Sequence, residues 1–152
     1  MNLPHALALT LVDGLAPSVT RWAEDQQRRI LREGAPLGPR ELEFAGSLGI
    51  VHADEVRVLR VERIPLPVPA FFADLAAKCG LPVFAPGGMA LGRGIYLLHG
   101  QEWSLPHELV HVEQYGRMGG IGAFMRTYLL QCLTDGYANA ELEREARLRS
   151  DG

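Results

Sequence analysis

The sequence predicts one α+β domain that is rich in helices and has a small sheet of two or three strands. Three observations predict this fold class. A chain of 152 residues, 47% of them hydrophobic, has the length and the apolar content of a single folded domain. Several segments repeat apolar residues at helical spacing and end at glycine. Only two short segments have the β-branched and apolar character of strands.

The first half of the chain is expected to supply two helices and then a strand. Apolar residues recur at helical spacing over 18–33, and Gly34 ends that pattern. A proline opens the second predicted helix, Pro39–Leu48. Residues 56–64, VRVLRVERI, alternate β-branched and charged side chains ahead of two prolines, which predicts a strand.

The second half is expected to supply one strand among helices. Residues 69–79 predict a short helix, whereas 82–93 hold three glycines and two prolines and predict a loop. The run GIYLL at Gly94–Leu98 predicts the second strand. Three further helices are expected, over 105–115, 121–134 and 140–149.

The composition argues against several classes of partner. Fifteen basic and eighteen acidic residues give a net charge of −3, so the chain lacks the basic surplus that binds nucleic acid. No stretch approaches the ~18 uncharged apolar residues of a membrane span. The apolar run 3–15 follows no basic residue and contains Asp13, which makes a weak signal peptide. We therefore expect a cytoplasmic protein with neither a nucleic-acid nor a membrane partner, whose Cys79 and Cys132 are reduced and buried.

One window carries a chemical motif. Residues 107–111 read HELVH, the pattern H-E-x-x-H, for which this composition predicts roughly 0.01 chance matches. Pro106 suits the first turn of a helix, and His107 and His111 then lie one turn apart on one face, where two imidazoles can bind one metal ion. Glu108 lies about 100° around that helix, where its carboxylate can act on a metal-bound water as a general base.

A third metal ligand has to come from another segment. Met118 stands where the longer pattern H-E-x-x-H-x-x-G-x-x-H would place a third histidine. The other histidines have no metal-site neighbours in sequence, so the acidic last helix is the remaining source. Glu143 and Glu145 flank the apolar stripe of that helix at about 80° on either side, and Glu141 points further out. Helical geometry leaves both Glu143 and Glu145 open as the ligand.

The motif and its surroundings carry a resemblance to a known group. HELVHVEQY at 107–115 resembles the active-site helix of small bacterial zincin-like domains, whose motif reads H-E-[LT]-x-H-V-x-Q. MALGRGIYL at 89–97 resembles the strand that precedes that helix, and Tyr137, Asn139 and LEREA at 142–146 resemble the closing segment. The similarity covers 88–147, so residues 1–152 are expected to form one minimal zincin-like domain in which 1–87 support the metal-site half.

The resemblance also implies a ligand set. In the wider gluzincin class the third ligand is a glutamate followed by alanine three residues later, which singles out Glu143 with Ala146. Arg147 stands where an aspartate often supports a ligand histidine. Another acid, Glu113 or Asp135, would then have to orient the imidazole.

The activity that the resemblance implies is zinc-dependent hydrolysis of a peptide or protein substrate. His107, His111 and Glu143 would bind Zn²⁺, and Glu108 would activate water. An edge strand would hold the extended substrate through Ile95, Tyr96 and Leu97. Among Tyr115, Tyr128 and Tyr137, the last is our first candidate for a donor to the developing oxyanion.

Two other functions fit the same motif. A zinc-stabilised scaffold or protein-interaction domain would keep the ligands without turnover, because function depends on the site rather than on the fold. A metallo-amidase would use the same residues on a small substrate. Other first-row metals also accept two imidazoles and a carboxylate.

Overall fold

The computed structural model describes residues 2–65 and 87–151. Within these residues, five α-helices pack around a four-stranded mixed sheet, which confirms the α+β, helix-rich class. The helices are α1 (His5–Glu33), α2 (Pro39–Leu48), α3 (Leu105–Arg117), α4 (Ile121–Asp135) and α5 (Glu141–Ser150). The strands are β1 (Ala35–Pro36), β2 (Arg57–Val61), β3 (Gly88–Leu91) and β4 (Gly94–Leu98). The helix predicted over 69–79 and Cys79 lie outside the described residues.

Helix α1 is longer than the sequence pattern predicts. It includes the apolar run near the N-terminus and continues through Pro17. Its first half is held by packing, because Ala8, Val12 and Ala16 repeat every four residues on one face and meet Leu133 of α4. Such tertiary contacts outweigh the helix-breaking tendency of a single proline. In the described part of the chain, no helix combines the length and the hydropathy needed to cross a membrane.

The sheet has the order β1-β2-β4-β3. Its two outer strands, β1 and β3, are additional to the two strand segments predicted from the sequence. β2 and β4 are parallel, whereas β3 and β4 form an antiparallel hairpin in which Leu91 faces Gly94. Gly92, with φ of 68°, lies in the turn of that hairpin. The loop prediction for 82–93 is therefore wrong at β3, because these glycines serve a tight turn and a close approach to α3 rather than irregular chain.

Strand β4 lies inside the sheet, between β2 and β3. The prediction that Ile95, Tyr96 and Leu97 form a substrate-binding edge strand is wrong, because both edges of β4 are hydrogen-bonded to neighbours. All three side chains are fully buried in the main core. Among the described strands, β3 is the edge strand next to β4.

Glycine turns bring the three C-terminal helices together. Gly119 and Gly120, with φ of 96° and 128°, separate α3 from α4, and Gly136, with φ of 82°, follows α4. Positive φ strains most L side chains, so glycine suits each reversal. The reversals return α5 alongside α3, while α3 also packs on β3.

Candidate metal centre

Helices α3 and α5 bring two histidines and a glutamate together. His107 Nε2 lies 3.0 Å from Glu143 Oε1, and His111 Nε2 lies 3.0 Å from Glu143 Oε2. One ligand atom from each residue can be chosen so that all lie within 4.8 Å of one another. Two imidazole nitrogens and one carboxylate oxygen are a donor set that Zn²⁺ accepts in three-ligand sites, so these residues fit a metal ion. Among the described residues, no other group of three His, Cys, Asp or Glu side chains does so.

Charge and burial make these ligands interdependent. Glu143 is 2% exposed. Burial alone would raise the pKa of Glu143, but hydrogen bonds from His107 and His111 outweigh it and hold the pKa well below its usual range. Burial would likewise lower the pKa of His111, yet the Glu143 contact and the charge of Glu108 raise it to about 9. The three side chains therefore form a partly buried group of imidazoles and carboxylate in which a metal cation can replace the imidazole protons.

Glu108 lies beside this group and faces β3. It is buried, and a Cβ added at Gly88 would come within 2.8 Å of Glu108 Cγ, so the strand packs directly on this side chain. Burial raises the pKa of Glu108, whereas the positive charges of His111 and His107 and a hydrogen bond from the Ala90 backbone oppose the rise. The contact with glycine explains why β3 can approach the motif helix so closely.

Gln114, the last position of the quoted motif, was given no role from the sequence, and the structure places it against His111. Its Oε1 lies 2.7 Å from His111 Nδ1, and its Nε2 donates to Leu142 O at 3.0 Å and to Glu145 Oε1 at 2.9 Å. This contact could have been predicted from the sequence, because a residue three positions after His111 lies on the same face of the helix. An acid such as Glu113 does not fill this role: its carboxylate accepts from Arg149 at 2.5 Å.

Asp135, the other acid expected to orient an imidazole, is exposed at the last position of α4. The residue that contacts His111 Nδ1 is the neutral amide of Gln114. The prediction of an acidic partner for the ligand histidine is therefore wrong for both candidates.

Aromatic side chains of α3 and α4 support Glu143 from another side. Tyr128 OH donates to Glu143 Oε2 at 2.8 Å. Its ring stacks on Phe124, which stacks on Tyr115, with centroid separations of 5.4 Å and 3.8 Å. Tyr115 OH donates to Ala90 O at 3.0 Å. The three stacked rings therefore connect Glu143 to β3 through a hydrogen bond at each end.

Tyr137 also lies beside the third ligand. Burial and the negative charge of Glu143 raise the pKa of Tyr137 well above its ordinary value. The phenol therefore keeps its proton at neutral pH and can donate a hydrogen bond. Of the three tyrosines considered from the sequence, Tyr128 and Tyr137 lie at Glu143, and Tyr115 bonds to β3.

Glu145 is engaged elsewhere. Arg117 Nη2 lies 2.7 Å from Glu145 Oε1, and Arg149 Nη1 lies 3.0 Å from Glu145 Oε2. The hydrogen bond from Arg117, aided by those from Gln114 and Arg149, lowers the pKa of Glu145 to about 2 against the effect of its partial burial. Glu143 faces the histidines and Glu145 faces the guanidinium groups, which separates the two candidates that helical geometry left open.

No family model, no curated protein and no solved structure matches the chain. The resemblance to zincin-like domains stays a prediction that depends on the quoted motifs. What the chain does has to be argued from the geometry of this site.

Proposed function

We propose that the protein is a metal-dependent hydrolase that acts on a peptide or protein substrate. The observation that carries the proposal is the convergence of His107, His111 and Glu143, with ligand atoms within 4.8 Å of one another, beside the buried carboxyl of Glu108. These three residues would hold Zn²⁺, whose chemistry is to polarise a carbonyl and to lower the pKa of water. Glu108 is outside the ligand set and can serve as the base.

Glu108 is suited to moving a proton. Its burial raises its pKa from the ordinary range of a carboxyl, which makes it a stronger base. A carboxylate oxygen of Glu108 would take a proton from water as the water attacks the substrate carbonyl, and would then give the proton to the leaving nitrogen. Contact with β3 at Gly88 limits how far the side chain can swing.

The substrate is proposed to lie along β3. The Leu98 N–H donates to Gly87 O, so by alternation the backbone groups of Gly88 and Ala90 point away from β4. Ala90 is already engaged by Tyr115 and Glu108, so the backbone groups of Gly88, which is buried in this structure, are the ones proposed to pair with an extended peptide at this edge. Tyr137, which keeps its proton, is proposed to donate to the substrate carbonyl oxygen.

The experiment that tests this function pairs elemental analysis with peptide cleavage. We expect one zinc per chain and cleavage of fluorogenic peptides by the wild-type protein. Glu108→Gln should keep the zinc and lose about 10²- to 10⁴-fold in kcat, the usual contribution of a general base. Glu141→Gln, at an exposed glutamate in the first turn of α5, is the matched control and should keep both properties.

Two results would contradict the proposal. A purified protein that takes up no metal would remove its chemical basis. A zinc-loaded wild type that cleaves no peptide, with the same thermal stability gain from zinc as Glu108→Gln, would favour the scaffold function instead.

A further inference from the structure

Gln114 is a buried amide at the crossing of the two ligand-bearing helices. Its exposure is 0%, although burying an amide is costly unless its polar atoms are hydrogen-bonded. Here the oxygen meets His111, and the nitrogen meets Leu142 O and the Glu145 carboxylate. The side chain on α3 therefore has two contacts on α5.

The partners of the nitrogen determine which way the amide faces. Leu142 O is a carbonyl, and both oxygens of the Glu145 carboxylate already face the guanidinium donors of Arg117 and Arg149, so both partners are acceptors. The NH₂ group must face them, and Oε1 must face His111. Because Oε1 only accepts, His111 Nδ1 carries a proton, which leaves Nε2 as the ring nitrogen that can bind a metal.

The contacts on α5 flank the third ligand. Leu142 immediately precedes Glu143, and Glu145 follows it by two residues. Glu145 is itself held by Arg117 and Arg149. The NH₂ group of Gln114 thus fixes the segment of α5 that presents Glu143, while its oxygen fixes the ring of His111.

We propose that Gln114 is a positioning residue that keeps a proton on His111 Nδ1, so that Nε2 is the nitrogen left for a metal, and that aligns α5 so that Glu143 faces the histidines before a metal binds. This inference rests on the proposed function only in requiring a metal site, and it does not require hydrolysis. A carboxylate is a common partner of ligand histidines. At position 114 a carboxylate would face Leu142 O and Glu145, which are both acceptors. An amide accepts from His111 and donates to α5 at once.

Three variants separate the contact of Gln114 with His111 from its contacts with α5. Gln114→Met keeps a similar length and removes both hydrogen-bonding groups. Gln114→Glu keeps an acceptor for His111 but sets like charges together at Glu145. The double variant Gln114→Glu with Glu145→Gln restores a donor opposite the new acceptor, which makes a double-mutant cycle with Glu145→Gln as the control.

The measurements are the zinc dissociation constant, from chelator competition, and the ring ¹⁵N and Nδ1-proton NMR signals of His111 in the protein with zinc added. We expect Gln114→Met to weaken zinc binding about 10- to 100-fold and to lose the protected Nδ1 proton, while circular dichroism stays that of the wild type. Gln114→Glu should bind zinc more weakly than the wild type, and the double variant should recover part of the loss.

Wild-type zinc affinity in Gln114→Met, or no Nδ1 proton on wild-type His111, would overturn the role of Gln114. Failure of the double variant to recover would overturn the alignment of α5 through Glu145. Each of these outcomes is independent of peptide cleavage. A chain that shows the expected zinc and NMR behaviour but cleaves no peptide would remove the hydrolase and leave the positioning role standing.

Discussion

Two clusters of polar and charged side chains lie on either side of Gln114, and each contains a glutamate of α5 with a different kind of partner. The inner cluster comprises His107, His111, Tyr128 and Glu143, and the rim cluster comprises Glu113, Arg117, Glu145 and Arg149. The Glu143 side chain is 3% exposed, whereas that of Glu145 is 28% exposed. Both carboxylates are ionised and paired, and they are two residues apart on α5.

The difference lies in the partners rather than in the glutamates. Arginine stays protonated and has no lone pair to give, so the rim cluster is a set of ion pairs. Imidazole can exchange a proton for a metal ion, so the inner cluster has the chemistry of the proposed metal site. In the proposed site, it is the two facing histidines that make a buried carboxylate a metal ligand.

The strongest way to break this comparison is to remove each of the two glutamates in turn and compare the losses of zinc affinity. Glu143→Ala removes a proposed ligand and leaves only two imidazoles, so zinc affinity should fall by more than the roughly 100-fold that loss of an outer-shell partner can cost. Glu145→Ala should stay within about 100-fold of the wild type, because it removes a partner of Gln114 rather than a ligand. Chelator competition measures both, and equal losses would show that the clusters are not distinct.

A second change tests the strand that covers the inner cluster. Ala at position 88 would place its Cβ 2.8 Å from Glu108 Cγ and 3.2 Å from Tyr96 O, so Gly88→Ala should displace the proposed base. We expect up to about a 100-fold fall in kcat, the cost of roughly 1 Å of misplacement, with zinc content unchanged. Gly46→Ala is the control, since its new Cβ meets no atom within 4 Å. Equal kcat in the two variants would contradict the role of β3.

A third change weakens the inner cluster without touching a ligand. Tyr128→Phe removes the hydroxyl that donates to Glu143 Oε2 at 2.8 Å. A hydrogen bond to a buried charge contributes about 1.5–3 kcal/mol, so the free energy of unfolding should fall by about that amount in urea titration of the metal-free protein. Tyr115→Phe provides a comparison, because that hydroxyl meets a neutral carbonyl, and it should cost less, about 1 kcal/mol. A larger loss for Tyr115→Phe would reverse the order expected here.

The smallest effect is expected at an ion pair outside both clusters. Arg60 of β2 and Glu102 form two hydrogen bonds of 2.7 Å and 2.9 Å, and the Arg60 bond lowers the pKa of Glu102. The ion pair therefore stabilises the folded protein at pH values above the unfolded pKa of Glu102, about 4.5. This stabilisation is lost as the pH falls through the lower pKa of Glu102 in the folded protein. Because both side chains are exposed, Glu102→Gln should cost less than about 1 kcal/mol at pH 7, and less still in high salt. A cost that is the same at pH 7 and at pH 3 would exclude the ion pair as its source.

The sequence predicts most helices of this fold and half of its candidate site. Pro39, Gly49 and the glycines between the later helices mark boundaries that lie within a few residues of the observed ones. The H-E-x-x-H spacing places two imidazoles on one face through local geometry alone. The choice between Glu143 and Glu145 depends on which side chains of α3 face each glutamate, and α3 is distant from α5 in sequence. The amphipathic pattern of α5 carries no information about those partners.

Two other features were missed for related physical reasons. Glycine and proline near β3 suggest a loop, but the same glycines permit a hairpin turn and close packing on Glu108. Helix α1 begins before Pro17 because packing on α4 outweighs local propensity. In each case a contact between segments far apart in sequence decides the local structure.

The two halves of α1 affect how a bound ion would escape. Pro17 has no N–H to donate, so the first half of α1 depends on its apolar contact with α4. Helix α4 also carries Tyr128, and Gln131 accepts from the Leu142 N–H at 2.9 Å in the first turn of α5. Opening of this unit, which amide hydrogen exchange would detect, frees the end of α5 that holds Glu143. If the proposed metal site is correct, the residence time of the ion depends on α1, a helix that supplies none of the proposed ligands.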